Sequence, residues 1–188
     1  MQNCRYWSDN NQHVIAEKSF YPKKVTVWCA LWSGGIIGPY FFENECGNVV
    51  TVNEERYRSM IKDYFWHQLD ALDLKDMWFQ QDCATCHTST VTIFLLRERF
   101  HDRVISRNGD AQWPQRSRDI THLDFFLWSY VKSVVYWNEP KTINDLKGNI
   151  NCTVSDITAD SCESGSKLVF QNLLYKKVQR RPFKRHYF

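Results

Sequence analysis

At Asn53 the apolar pattern of the chain switches from strand-like runs to a helical stripe, so one core has to cover a sheet face with helices. Upstream, "KVTVWCALW" (Lys24 to Trp32) and "IIGPYFFE" (from Ile36) are rich in β-branched and aromatic residues and are separated by "SGG". That predicts two strands joined by a tight turn. Pro39 has no N–H to give to a ladder, which puts the second strand at a sheet edge. Downstream, Tyr57, Met60, Ile61, Tyr64, Phe65, Leu69 and Leu72 recur at the spacing of one helix face, with Asn53 as N-cap.

The alternation continues. "DMWFQQD" (Asp76 to Asp82) reads as a short strand, and "TSTVTIFLLRERF" (Thr88 to Phe100) as a helix with Val91, Phe94 and Leu95 inward. "RVIS" (Arg103 to Ser106) is a further extended piece, followed by a polar loop that Gly109 and Pro114 keep irregular. Leu123, Phe126, Leu127, Tyr130, Val131, Val134 and Val135 then mark a helix that has Asp124 in its first turn and stops before Pro140. Tyr136 and Trp137 are expected to complete the core beneath the last helices. "TINDLKGNINCTVSDIT" is an amphipathic helix with Thr142 and Asp145 as a capping box and Ile143, Leu146, Ile150, Val154 and Ile157 inward. "ADSCESGS" (Ala159 to Ser166) reads as a linker. The order is strand, strand, helix, strand, helix, strand, helix, helix, a mixed α/β layout in which a hairpin precedes units that favour parallel pairing.

With 188 residues, 43% hydrophobic and 24% charged, the chain suits one domain, or one domain with an appendage, and the composition argues against disorder as the overall state. The net charge of +3 does not identify a nucleic-acid binder, but its distribution is uneven. No acidic residue follows Glu163, whereas Lys167, Lys176, Lys177, Arg180, Arg181, Lys184 and Arg185 do. Such a tail either follows phosphates or is a solvated basic end. Seven cysteines without a repeated spacing, and no apolar leader in "MQNCRYWSDN", fit reduced thiols in the cytosol or nucleus. No run approaches the ~18 apolar residues of a membrane span.

Two messages meet in "FQQDCATCHTST". Cys83, Cys86 and His87 form C-x-x-C-H, the spacing of c-type haem attachment and of some Cys/His zinc sites. The same stretch is also an apolar run that ends on a carboxylate, Asp82, where a strand gives way to a helix. Asp82 at a strand end and Asp124 at a helix start are a pair that could share hard cations such as Mg²⁺ or Mn²⁺ and clamp a phosphodiester. Dipole or cap chemistry is the alternative for an acid near a helix start.

"WFQQDCATCHT", "RERFHDRVISRNGDAQWP" and "RSRDITHLDFFLWSYVKSVVY" together resemble mariner-type transposases, the DDE/D group with an RNase H-like catalytic domain. The likeness runs from about Asn3 to about Thr158, with "VTVWCALWSGGIIGPYFFE" and "VNEERYRSMI" in family order. It implies metal-dependent DNA cleavage and strand transfer, Asp82 and Asp124 as catalytic metal ligands for Mg²⁺ or Mn²⁺, and DNA as partner. It also implies a nuclear protein, cytoplasmic if not retained on DNA, and leaves a homodimer open. Asp119 is then an N-cap rather than a ligand.

The family's "GATCH" makes C-x-x-C-H here a by-product of Cys83 replacing glycine, so no haem is expected. At that turn φ > 0 is the expectation, which would strain a cysteine. Arg118 and His122 likewise stand where the family pattern has prolines. The family places its first aspartate on a strand preceding "NCRYWS", central in a sheet of order 3-2-1-4-5. The expectation is therefore a partial RNase H-like domain over 1–158, lacking its central strand and enzymatically incomplete, followed by a linker and basic tail over 159–188. Asp9 sits in a loop and is no substitute. Apolar strand edges should remain exposed at the gap. A non-catalytic DNA-binding or protein-interaction module is the alternative.

Overall fold

A computed structural model describes residues 24–72, 77–112, 127–159, 162 and 169–175. Its strands are β1 (Val27–Trp32), β2 (Gly35–Phe41), β3 (Trp78–Gln81), β4 (Val104–Ser106), β5 (Ala111–Gln112) and β6 (Val169–Tyr175). They form one mixed sheet in the order β2-β1-β6-β3-β4-β5. The hairpin β1–β2 is antiparallel, β6 runs antiparallel to β1, and β3, β4, β5 and β6 are mutually parallel where they pair.

The expected hairpin is present, with Pro39 on the edge strand β2. Its register shifts between Trp28 and Ala30. Gly38 lies near that irregularity with φ of 117°, and a Cβ there would come within 3.0 Å of the Trp28 carbonyl oxygen. Only glycine accommodates both the dihedral and the close approach.

The centre of the sheet differs from expectation. The position between β1 and β3 is taken by β6, from a segment that the sequence reading assigned to linker and tail. Trp28 faces Leu174 and Ala30 faces Asn172 on one side, and Gln80 faces Gln171 and Gln81 faces Asn172 on the other. The physical reason is pairing: an open slot would leave two rows of backbone N–H and C=O groups unsatisfied, and the run "VFQNLLY" supplies both rows at once. The exposed apolar edges expected on β1 and β3 therefore do not occur.

Helices cover both faces. α1 (Glu54–Met60) continues through a π-helical turn (Ile61–Phe65) into α2 (Trp66–Asp70), and Asn53 caps α1 by accepting the Arg56 N–H. α3 (Thr85–Thr88) and α4 (Thr90–Phe100) follow β3. The first core joins Trp28, Ala30 and Phe79 of the sheet to Tyr57, Met60, Ile61, Phe65, Ile93, Leu96 and Phe100. Phe65 sits at its centre, with ring centroids 5.2 Å from Trp28 and 5.7 Å from Phe79. α5 (Trp128–Val134) and α6 (Ile143–Ser155) cover the other face, where Val27, Cys29 and Leu31 meet Leu127, Trp128, Val131, Leu146 and Ile150. Successive β1 residues thus enter opposite cores, which is why that strand is apolar throughout.

The capping box of α6 forms as expected: Thr142 Oγ1 accepts the Asp145 N–H at 3.0 Å, and Asp145 Oδ2 accepts the Thr142 N–H at 2.8 Å. Several inward assignments are corrected. On α4, Val91 and Phe94 are 59% and 62% exposed, while Ile93, Leu96 and Phe100 take the buried face together with Leu95. The helix is apolar on two sides, and the sheet selects one of them. Tyr130 and Val134 are exposed on α5, Ile143 is exposed at the start of α6, and Trp137 is 89% exposed; Tyr136 is partly buried against the second core.

Candidate functional site

The described candidate is built at the C-terminal end of β3. The strand delivers Asp82 one residue past Gln81, at the edge where β4 also ends on Ser106. Carboxylates at such strand ends are fixed at the backbone and open to whatever lies above the sheet. Asp82 keeps 32% of its side chain exposed.

The sequence "DCATCH" then folds back on the carboxylate. Asp82 Oδ1 accepts the Ala84 N–H at 3.0 Å, the local Asp-to-backbone bond that favours a turn at this spacing. The helical turn α3 brings His87 over the same atom, and its Nδ1 lies 2.5 Å from Asp82 Oδ1. A carboxylate only accepts, so Nδ1 carries the proton in this pair. His87 is fully buried, and its ring packs on Tyr57 at a centroid distance of 4.5 Å.

A second layer of polar groups holds that arrangement. The Tyr57 hydroxyl donates to Gln81 Oε1 at 3.0 Å, and Gln81 Nε2 donates to the His87 carbonyl at 2.8 Å and to Ser106 Oγ at 3.3 Å. Thr92 Oγ1 donates to the Cys86 carbonyl at 3.2 Å, and Asn108 Nδ2 to the Thr88 carbonyl at 2.7 Å. α1, β3, β4 and α4 are thereby tied to one short loop. Burial, the largest influence on His87, disfavours its charged form. The hydrogen bond and charge of Asp82, with contributions from Cys86, outweigh it and raise the pKa to about 9. At neutral pH the pair is imidazolium and carboxylate.

Asp82 is the one expected ligand among the described residues. Asp124, Asp119, Arg118 and His122 lie outside them, as do the tail residues Lys176, Lys177, Arg180, Arg181, Lys184 and Arg185. The meeting of Asp82 with Asp124 is therefore an expectation about positions beyond the described ones. Tyr175, the last residue of β6, is described, and because β6 is parallel to β3 both strands end on the same side of the sheet.

Cys83 and Cys86 do not converge as C-x-x-C-H suggests. Cys83 is exposed, Cys86 is buried, and His87 Nδ1 is committed to Asp82. Among the described residues no group of three His, Cys, Asp or Glu side chains is placed to hold a metal ion. Asp82 alone offers a hard oxygen donor suited to Mg²⁺ or Mn²⁺, which is one corner of such a site. Cys83 does not adopt positive φ; among non-glycine described residues that conformation occurs at His101 and Glu139. The strain expected at the glycine-to-cysteine position is absent.

Sequence reasoning missed His87 as the partner of Asp82, along with Tyr57, Gln81 and Ser106. The available signal was the spacing of Asp82 and His87, a strand end followed by one helical turn, which the cysteine pattern obscured. No protein-family model matches this chain, and no curated protein matches it.

Proposed function

We propose that this chain is a transposase-derived domain of the mariner type with an RNase H-like sheet. Its ancestral chemistry is metal-dependent DNA cleavage and strand transfer, and its place of action is the nucleus. The observation that carries the reading is Asp82, a part-exposed carboxylate at the end of a buried parallel strand, sitting in the "QQD" block on which the sequence resemblance rests. The sheet order supports it: a hairpin lies on one side of the central β6 and the parallel strands β3, β4 and β5 on the other, which matches an order 3-2-1-4-5 in pairing sense with one added edge strand and with the central place filled from later in the chain.

A divalent cation held at Asp82 and Asp124 would neutralise phosphodiester charge and align the reacting oxygens. This chain's own described residues do the preparatory work. His87 and the Ala84 amide orient the Asp82 carboxylate, while Tyr57, Gln81 and Ser106 hold the loop. Two shared cations need three carboxylates, and residues 1–188 offer two by resemblance. These residues alone therefore bind metal weakly and cleave DNA little or not at all.

A second reading, a DNA-binding module without catalysis, draws on the basic run that begins one residue beyond Tyr175. No helix among the described residues is long and apolar enough to cross a membrane.

The test is Mn²⁺ binding and Mn²⁺-dependent plasmid nicking by 1–188 and by Asp82→Asn. Weak binding that Asp82→Asn abolishes, with negligible nicking, is the expected result. Robust nicking that Asp82→Asn removes would overturn the incompleteness, and Mn²⁺ binding indifferent to Asp82→Asn would remove the metal role. DNA affinity that falls steeply with salt in 1–188 but not in 1–175 would favour the second reading, through counterion release by the tail.

A further inference from the structure

We infer that His87 is the positioning residue of Asp82: its Nδ1–H, together with the Ala84 amide, holds the carboxylate in one orientation before any cation or phosphate arrives. The inference deepens the proposed function and rests on it for the identity of what Asp82 meets. The geometry of the donors does not depend on that reading.

Three observations carry it. Both donors converge on the same oxygen, Oδ1, one from the backbone at 3.0 Å and one from the ring at 2.5 Å, so turning the carboxylate breaks both bonds. The ring itself cannot turn away. It is fully buried against Tyr57, and the His87 carbonyl is tied to Gln81, which is in turn bonded to Tyr57 and Ser106.

The third observation concerns the other nitrogen. His87 Nε2 is buried with no hydrogen-bond partner. A histidine selected for packing alone leaves a polar atom unsatisfied where a phenylalanine or leucine would leave none, and that burial is unfavourable. What the imidazole supplies and an apolar side chain cannot is the Nδ1 donor. Outer partners that orient a ligand in this way typically change metal affinity by about 10–100-fold when removed.

The substitution series separates donor from filler. In His87→Asn the amide nitrogen falls near the place of Nδ1, whereas in His87→Gln it reaches toward the place of Nε2, and His87→Leu keeps bulk without any donor. The full chain would be followed by the carboxyl carbon signal of Asp82 without metal, by Mn²⁺ affinity, and by the thermal midpoint. His87→Asn should keep the Asp82 signal and Mn²⁺ affinity close to wild type. His87→Gln and His87→Leu should shift the signal and weaken Mn²⁺ by ten- to a hundredfold. Loss in His87→Asn equal to that in His87→Leu, or an Asp82 signal unmoved in all three, would overturn the inference.

The unsubstituted chain provides an independent measurement should a variant fail to fold. A slowly exchanging ring proton on Nδ1 that Asp82→Asn removes is expected, and a ring protonated on Nε2 alone would overturn the proposal. If the wild-type chain binds no Mn²⁺, the metal reading fails while the metal-free Asp82 and ring-proton signals still decide the positioning.

Discussion

Ending the chain at Ser166 removes β6, and with it pairing across five residues of β1 and four of β3. At roughly one net hydrogen bond per registered residue and ~1 kcal/mol for each, the lost pairing is on the order of 9 kcal/mol before any side-chain burial is counted. Domains generally hold only about 5–15 kcal/mol of stability, so this single strand accounts for most or all of the margin. No direct β1–β3 pairing replaces it, because β6 lies between them. Urea unfolding of 1–188, 1–175 and 1–166, followed by tryptophan fluorescence and far-ultraviolet circular dichroism, tests the reasoning. The chain ending at Tyr175 should match the full chain, while 1–166 should lose its cooperative transition. Gln171→Pro, at a position that faces Leu31 on one side and Gln80 on the other, removes a ladder N–H from the central strand and should cost about 1–3 kcal/mol in the full chain through the acceptor left unpaired. A cooperative 1–166 with the midpoint of the full chain would refute the central role of β6. The comparison also decides how the basic tail must be assayed, since a cut at Ser166 removes a structural strand along with the charges.

The His87–Asp82 pair sets a pH dependence. His87 is raised from 6.5 to about 9 by folding, so its contribution is complete below pH 6.5 and is lost as the pH rises through 9; urea midpoints should fall across that window, and Asp82→Asn should flatten the slope. Phe65→Ala should destabilise by about 3–5 kcal/mol, because the ring is fully buried among Trp28, Phe79 and Phe100, whereas Phe94→Ala on the exposed side of α4 should stay within about 0.5 kcal/mol. Thr142→Ala should cost about 1 kcal/mol by thermal unfolding, through loss of the side-chain acceptor that caps α6.

The local devices of this protein were legible in its sequence because each is decided within a few residues. The turn at "SGG", Asn53 and Thr142 as N-caps, Pro39 on an edge and the stop before Pro140 depend on dihedral preferences and nearby hydrogen bonds, and the structure contains each of them. Asp82 at a strand end was legible for the same reason. The facing of α4 and α5 was not. "TVTIFLL" offers apolar residues on more than one side, and only the docked sheet determines that Ile93 and Leu96 go in while Val91 and Phe94 stay out.

Tertiary structure also decided the role of His87. Asp82 and His87 are close in sequence, but their contact needs α3 to fold back under Tyr57 and Gln81, residues supplied by α1 and β3. The largest difference is β6. Strand propensity in "VFQNLLY" is visible locally, yet nothing local says that the last described strand fills the middle of the sheet. That placement follows from two rows of unpaired backbone groups on β1 and β3, a demand that exists only once both strands are in place.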